Sequence, residues 1–148
     1  MSLNTRKIRP IALCIFRRDD HILVFEAHDH TKNQTFCRLL GGGIEFGEPS
    51  RDAIIREIRE ELSAEIHNLE YLCALENIFV YQGESKHEIV QLYKADFVDP
   101  AMYAQEKPPA FEVDGSPINA MWKPLVAFRS GALPLYPVGV LDIVTRGE

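Results

Sequence analysis

Apolar residues along the chain fall into short runs broken by polar or Gly- and Pro-bearing segments, and one stretch repeats with clear helical spacing. Residues 9–17 (RPIALCIFR) and 22–27 (ILVFEA) flank the polar Arg18-Asp19-Asp20-His21, a pattern that predicts a β-hairpin. A polar loop is expected at 28–35 (HDHTKNQT), a short strand at 36–40, and a flexible loop at Gly41-Gly42-Gly43. Residues 49–62 form the one clear helix: Pro49 suits a first helical position, and Ile54, Ile55, Ile58 and Leu62 make one apolar stripe. Strands follow at 66–80 and 88–98, with a turn at 81–85 between them. Residues 99–117, with Pro100, Pro108, Pro109, Gly115 and Pro117, read as a long loop of the kind that lids or binds. A last strand at 118–122 and a closing helix within 134–146, starting near Pro137, complete an α/β chain around one central helix.

Composition narrows the class. A chain of 148 residues predicts a single domain over 1–148, and 46% hydrophobic with 26% charged residues excludes general disorder. The net charge of −6 disfavours a long nucleic acid as partner, because phosphate tracks need a basic surface. An acidic chain can still hold a phosphate if a divalent cation lies between them. No apolar run is long enough for a membrane helix, and the basic start, Met1 to Lys7, is not followed by a leader-type apolar region, so a cytoplasmic protein is expected. Cys14, Cys37 and Cys73 are odd in number and widely spaced; buried free thiols are expected, not a disulfide framework or a zinc site.

The chemistry concentrates in GGGIEFGEPSRDAIIREIREELSA, residues 41–64. At about 100° per residue, Glu57, Glu60 and Glu61 share one helix face beside the isoleucine stripe. Like charges at this spacing repel by about 0.2–0.5 kcal/mol per contact, and the C-terminal half of a helix disfavours anions. A hard divalent cation, Mg²⁺ or Mn²⁺, would relieve both penalties, with Gly42 and Gly43 offering unshielded backbone. The alternative is a solvated acidic face neutralised by Arg51, Arg56 and Arg59.

This stretch resembles the signature box of the Nudix (MutT-like) hydrolases. Gly42 opens it, Glu48 follows after five residues, Arg56-Glu57 after seven more, then Ile58, Arg59 and Glu60-Glu61. Ser63 stands where the family has Gly, and Ala64 where it has a larger aliphatic residue. The resemblance implies an α/β/α sandwich with a mixed sheet. It implies a magnesium-dependent pyrophosphatase that splits a phosphoanhydride in a nucleoside diphosphate linked to another group. Glu57, Glu60, Glu61 and the Gly42 carbonyl would ligate the metal. Arg56 would hold the glutamates, and Glu48 would steady the loop–helix junction or a second metal. Glu60 is the first choice of general base, then Glu88, then Glu112 or Asp114. An inactive Nudix-fold binding or sensor module is the alternative; it usually lacks box glutamates that are all present here.

The remaining signals are weaker. Tyr81 lies 17 positions after Ala64, near where some relatives that cleave dinucleoside polyphosphates carry a tyrosine. Tyr81 and Glu88 are the candidate substrate-binding residues. His28-Asp29-His30 reads as polar loop and Trp122 as core. A small nucleotide substrate is expected, nucleoside triphosphates ahead of dinucleoside polyphosphates, with a homodimer as a possible assembly.

Overall fold

The computed structural model describes residues 6–146. Most of the start on which the leader expectation rests, residues 1–5, lies outside them. In chain order the elements are β1 (Ile8–Ile15), β2 (Arg17–Arg18), β3 (His21–Asp29), β4 (Gln34–Arg38), β5 (Leu40–Gly43), α1 (Ser50–Leu62), β6 (Ile66–Tyr81) and β7 (Glu84–Phe97). A 3₁₀ turn at Pro100–Tyr103 leads to β8 (Ala110–Phe111), β9 (Pro117–Ile118), β10 (Ala120–Pro124), α2 (Val126–Arg129), β11 (Leu135–Tyr136) and α3 (Val140–Thr145).

Two sheets organise the molecule. One has the order β5-β1-β7-β6 and is mixed, because β1 runs parallel to β7 and antiparallel to β5. The other has the order β10-β3-β4-β11, with β2 on β3. Alternation along β1 divides the core. Ala12 and Cys14 face α1, packing with Ile54, Ile58 and Leu62. Ile11, Leu13 and Ile15 face the second sheet, packing with Ile22, Val24, Leu39 and the Val140 and Val144 of α3. This is the expected α/β/α sandwich with a mixed sheet.

Several local expectations need correction. The run at 9–17 hairpins with 22–27 only at its tip, where Arg17 pairs with Ile22 and the Leu23 N–H donates to the Phe16 carbonyl; β1 itself belongs to the other sheet. Residues 11–16 are buried throughout, the mark of a central strand with neighbours on both edges and not of a two-stranded ribbon. Half of residues 28–35 is strand, since β3 and β4 pair out to Asp29 and Gln34 and leave only 30–33 as loop. The three glycines are not a loop: β5 includes them and pairs with Ile11 to Leu13. Gly41 sits at φ 141°, and a Cβ there would lie 2.1 Å from the Ala12 carbonyl, so only glycine lets the strands meet.

The β6–β7 turn shrinks to Gln82 and Gly83, both at positive φ, the form that matches strand twist in a two-residue hairpin. The segment at 99–117 holds the 3₁₀ turn and the β8–β9 ribbon, so it is less irregular than expected. The closing segment is not one helix from Pro137: β11 pairs with β4, and α3 begins at Val140 after Gly139. Pro49 sits one residue before the first helical position, as the N-cap. Trp122 is core as expected, 4% exposed, its Nε1 donating to the Met102 carbonyl at 3.1 Å. The cysteines are free, with Cys14 and Cys37 buried and Cys73 half-buried.

Candidate active site

The helix α1 is anchored from two sides. Ala53, Ile54, Ile58 and Leu62 are buried beneath it, and the Ser50 hydroxyl meets the Tyr93 hydroxyl at 2.6 Å in its first turn. Its last turn ends at Ser63 in the left-handed region, φ 52° and ψ 36°, whose N–H donates to the Arg59 carbonyl. Arg59 then reaches past the end to both oxygens of Glu65, at 2.7 and 2.8 Å.

Held this way, the helix presents Arg56 to the loop before it. Arg56 donates from Nε and Nη2 to the two Glu48 oxygens at 2.8 and 2.9 Å. Nη2 also donates to the Gly43 carbonyl, and Nη1 to Glu57, both at 2.9 Å. Glu60 stands slightly farther from Nη1, at 3.3 and 3.4 Å, and is the most exposed of the box carboxylates that Arg56 touches apart from Glu45. Arg56 bonding holds Glu48 at about 2, well below the ordinary carboxylate value.

The other two glutamates turn towards β5. Glu61 is buried and accepts from the Gly41 N–H at 3.1 Å. Burial first, and then the charges of Glu57, Glu112 and Glu60, push its carboxyl up to about 8. Burial also raises Glu57 against the pull of Arg56. A Cβ on Gly42 would lie 2.5 Å from a Glu57 oxygen, so glycine is what lets that carboxylate lie on the strand.

These residues fit a hard divalent cation. The donors are all oxygen, they are crowded enough to repel, and bare backbone lies beside them. Among the described residues, no three His, Cys, Asp or Glu side chains are drawn to metal-holding distance. Arg56 supplies the positive charge that keeps Glu48 and Glu57 together.

The other sequence candidates separate in space. Glu112 lies near enough to raise Glu61, on the β8–β9 ribbon beside the helix end. Asp114 is spent locally, accepting from the Ser116 N–H and hydroxyl. Glu88 is 4% exposed and accepts from Arg38 at 2.6 Å and from the equally buried Asn77 at 3.1 Å. Glu88 and Tyr81 both line a cleft of about 880 Å³ between the two sheets. Cross-strand pairs build its walls: Phe25 opposite Arg38 and Ala27 opposite Phe36 on one sheet, Asn77 and Arg9 flanking Glu88 on the other. Phe36 meets Tyr81 and Tyr136 edge-on, with centroids 5.8 and 5.6 Å apart. Arg9 joins cleft to box, since it lies beside Gly43 and lowers the Glu57 carboxyl by its charge.

Arg9, Arg38, Phe36 and Asn77 were missed in the sequence. Only Asn77, which with Glu76 interrupts the otherwise apolar stretch from Leu72 to Val80, carried a readable signal.

The family description of the NUDIX domain matches residues 7–123. The chain belongs to the NUDIX family. Among curated relatives, this NUDIX chain is 31% identical over 102 residues to the NAD-capped RNA hydrolase NudC of Photorhabdus laumondii, covering 62% of the chain and 39% of that protein. It is 28% identical over 132 residues to NudC of Klebsiella pneumoniae strain 342, covering 88% and 43%. The chain thus spans about two-fifths of the length of these relatives. A NUDIX hydrolase from Nitrosomonas europaea has the same fold, with a TM-score of 0.64 at 17% identity over 93% of this chain and 87% of that one. A MutT NUDIX hydrolase from Burkholderia pseudomallei gives 0.59 at 22% identity over 86% and 97%. No helix among the described residues is long and apolar enough to cross a membrane.

Proposed function

We propose that this chain is a divalent-cation-dependent pyrophosphohydrolase that cleaves a nucleoside diphosphate linked to another group. One observation carries the reading: Glu61 and Glu57 lie against Gly41 and Gly42, Arg56 ties Glu57 and Glu60, and Arg9, beside Gly43, links this acidic group to a cleft of nucleotide size. Glu57, Glu60, Glu61 and the Gly42 carbonyl would hold Mg²⁺ or Mn²⁺. Such an ion, when bound, supplies polarisation of the bridging phosphate and acidification of the attacking water. Arg56 fixes the carboxylates, and Glu48 fixes Arg56. Glu60, the more exposed carboxylate, accepts the proton from water. The presence of every box glutamate favours an enzyme over a silent binding module.

Aromatic rings and Arg38 in the cleft suit a base and its phosphates. The names of the curated relatives bring NAD-capped RNA into consideration, against the expectation from net charge. The deciding test is a panel of nucleoside triphosphates, dinucleoside polyphosphates, NAD⁺ and a NAD-capped RNA, incubated with Mg²⁺. Release of a nucleoside monophosphate, or of a 5′-monophosphate RNA end, supports the reading; no cleavage of any member refutes it.

A further inference from the structure

The far rim of the cleft is made of two hairpin tips from different sheets, residues 30–33 between β3 and β4 and Gln82-Gly83 between β6 and β7. Asp29 joins them. It is 2% exposed, and both its oxygens are engaged. Oδ1 accepts from the Thr31 and Lys32 N–H groups at 2.9 and 3.1 Å, closing its own turn. Oδ2 accepts from the Gln82 N–H at 3.2 Å, across 53 positions of sequence. Two exposed bonds run beside it, His30 N–H to Gln82 Oε1 at 2.9 Å and Lys32 Nζ to the Val80 carbonyl at 2.7 Å.

We propose that Asp29 is a positioning residue for substrate: by clamping the two tips together it sets the spacing of Phe36 and Tyr81 across the cleft. Phe36 lies seven residues after Asp29 and Tyr81 one residue before Gln82, one on each hairpin, and the rings meet edge-on. The buried bond matters more than the two exposed ones, where water competes for the same groups. The proposal rests on the reading that this cleft receives the nucleotide.

The chemistry of an amide isolates the clamp. In Asp29→Asn, one oxygen can keep the local turn, but the NH₂ then faces the Gln82 N–H, donor against donor. Steady-state hydrolysis of NAD⁺ and ATP with Mg²⁺, together with backbone amide exchange, tests it. Gln82 N–H should exchange at least about tenfold faster in Asp29→Asn while Thr31 and Lys32 stay protected, the scale of one hydrogen bond to a charged group. KM of the substrate that is turned over should rise about tenfold, with kcat within about twofold. Gln82→Ala, which removes only the exposed acceptor for His30, should raise KM less. Unchanged KM despite faster exchange at Gln82, or a fall in kcat at constant KM, overturns the proposal. If wild-type protein cleaves neither nucleotide nor any other member of the panel, the functional reading falls, and unchanged exchange at Gln82 would remove the clamp as well.

Discussion

Arg56 and Glu48 form a two-pronged pair, Nε to Oε2 at 2.8 Å and Nη2 to Oε1 at 2.9 Å, that locks the loop before α1 onto its second turn. Glu48 Oε1 also accepts from the Glu45 N–H, so one carboxylate fixes both the loop and the arginine. Planar pairs of this kind are stronger and more directional than single ion pairs.

Acid stability should report this pair. Glu48 has a depressed folded value near 2 against an ordinary 4.5, so its contribution is present above pH 4.5 and is lost as pH falls towards 2. Glu48→Gln should therefore melt lower than wild type at pH 7. The gap between the two Tm values should narrow steadily from about pH 5 to pH 2. A gap that stays constant over that range would show that the charge is not what matters.

Removing one proton acceptor should slow chemistry without unfolding the protein. Glu60→Gln keeps the shape of an exposed side chain and is expected to lower kcat by about 10²–10⁴. Circular dichroism should be unchanged. Turnover near wild type would move the role of base to Glu112, the later-loop carboxylate that stands closest in effect to Glu61.

Chelation should abolish activity, and Mg²⁺ or Mn²⁺ should restore it. The crowding of carboxylates is the reason: the charges of Glu57 and Glu60 both raise Glu61, and a dication offsets that repulsion. Full activity in excess chelator would exclude the arrangement.

Ser63 carries backbone strain where the family has glycine. At φ 52° a residue with a Cβ loses about 1–2 kcal/mol relative to right-handed geometry. Ser63→Gly should raise Tm by a few degrees, since about 1 kcal/mol moves a chain of this size by about 2–5 °C. An unchanged or lower Tm would show that glycine's extra unfolded-state freedom cancels the relief.

Tyr81 separates two substrate classes. Its ring walls the cleft against Phe36, where a second base or nicotinamide could stack. Tyr81→Ala should raise KM for a dinucleotide several-fold and leave that for a nucleoside triphosphate unchanged. Equal effects on both would place the first base, not the second, on this ring.

The box was legible because a helix fixes side-chain direction by spacing alone, so Glu57, Glu60 and Glu61 could be placed on one face from the sequence. The cleft was not. Phe36, Arg38, Asn77 and Arg9 meet through strand pairings, some of them between segments dozens of residues apart, and no local period encodes which strand lies beside which. Asp29 was hidden for a related reason. Its neighbours His28, His30 and Lys32 read as loop, whereas the strand ends there because Asp29 turns inward to bond backbone. The glycine run misled in the opposite way: flexibility was read where close strand approach was required.

The parallel pairing of β1 with β7 has a consequence for how the protein is made. Ile8 must wait for His87, about 80 residues later in synthesis, before its central ladder can form. At ordinary translation rates, about 5–20 residues per second, that is a delay of several seconds. Every box residue is synthesised inside that interval. During it β5 can already pair with β1, yet the second edge of an apolar strand stays open. The carboxylate helix is therefore synthesised before the strand that completes its sheet, and its glutamates cannot reach their final arrangement until β7 arrives.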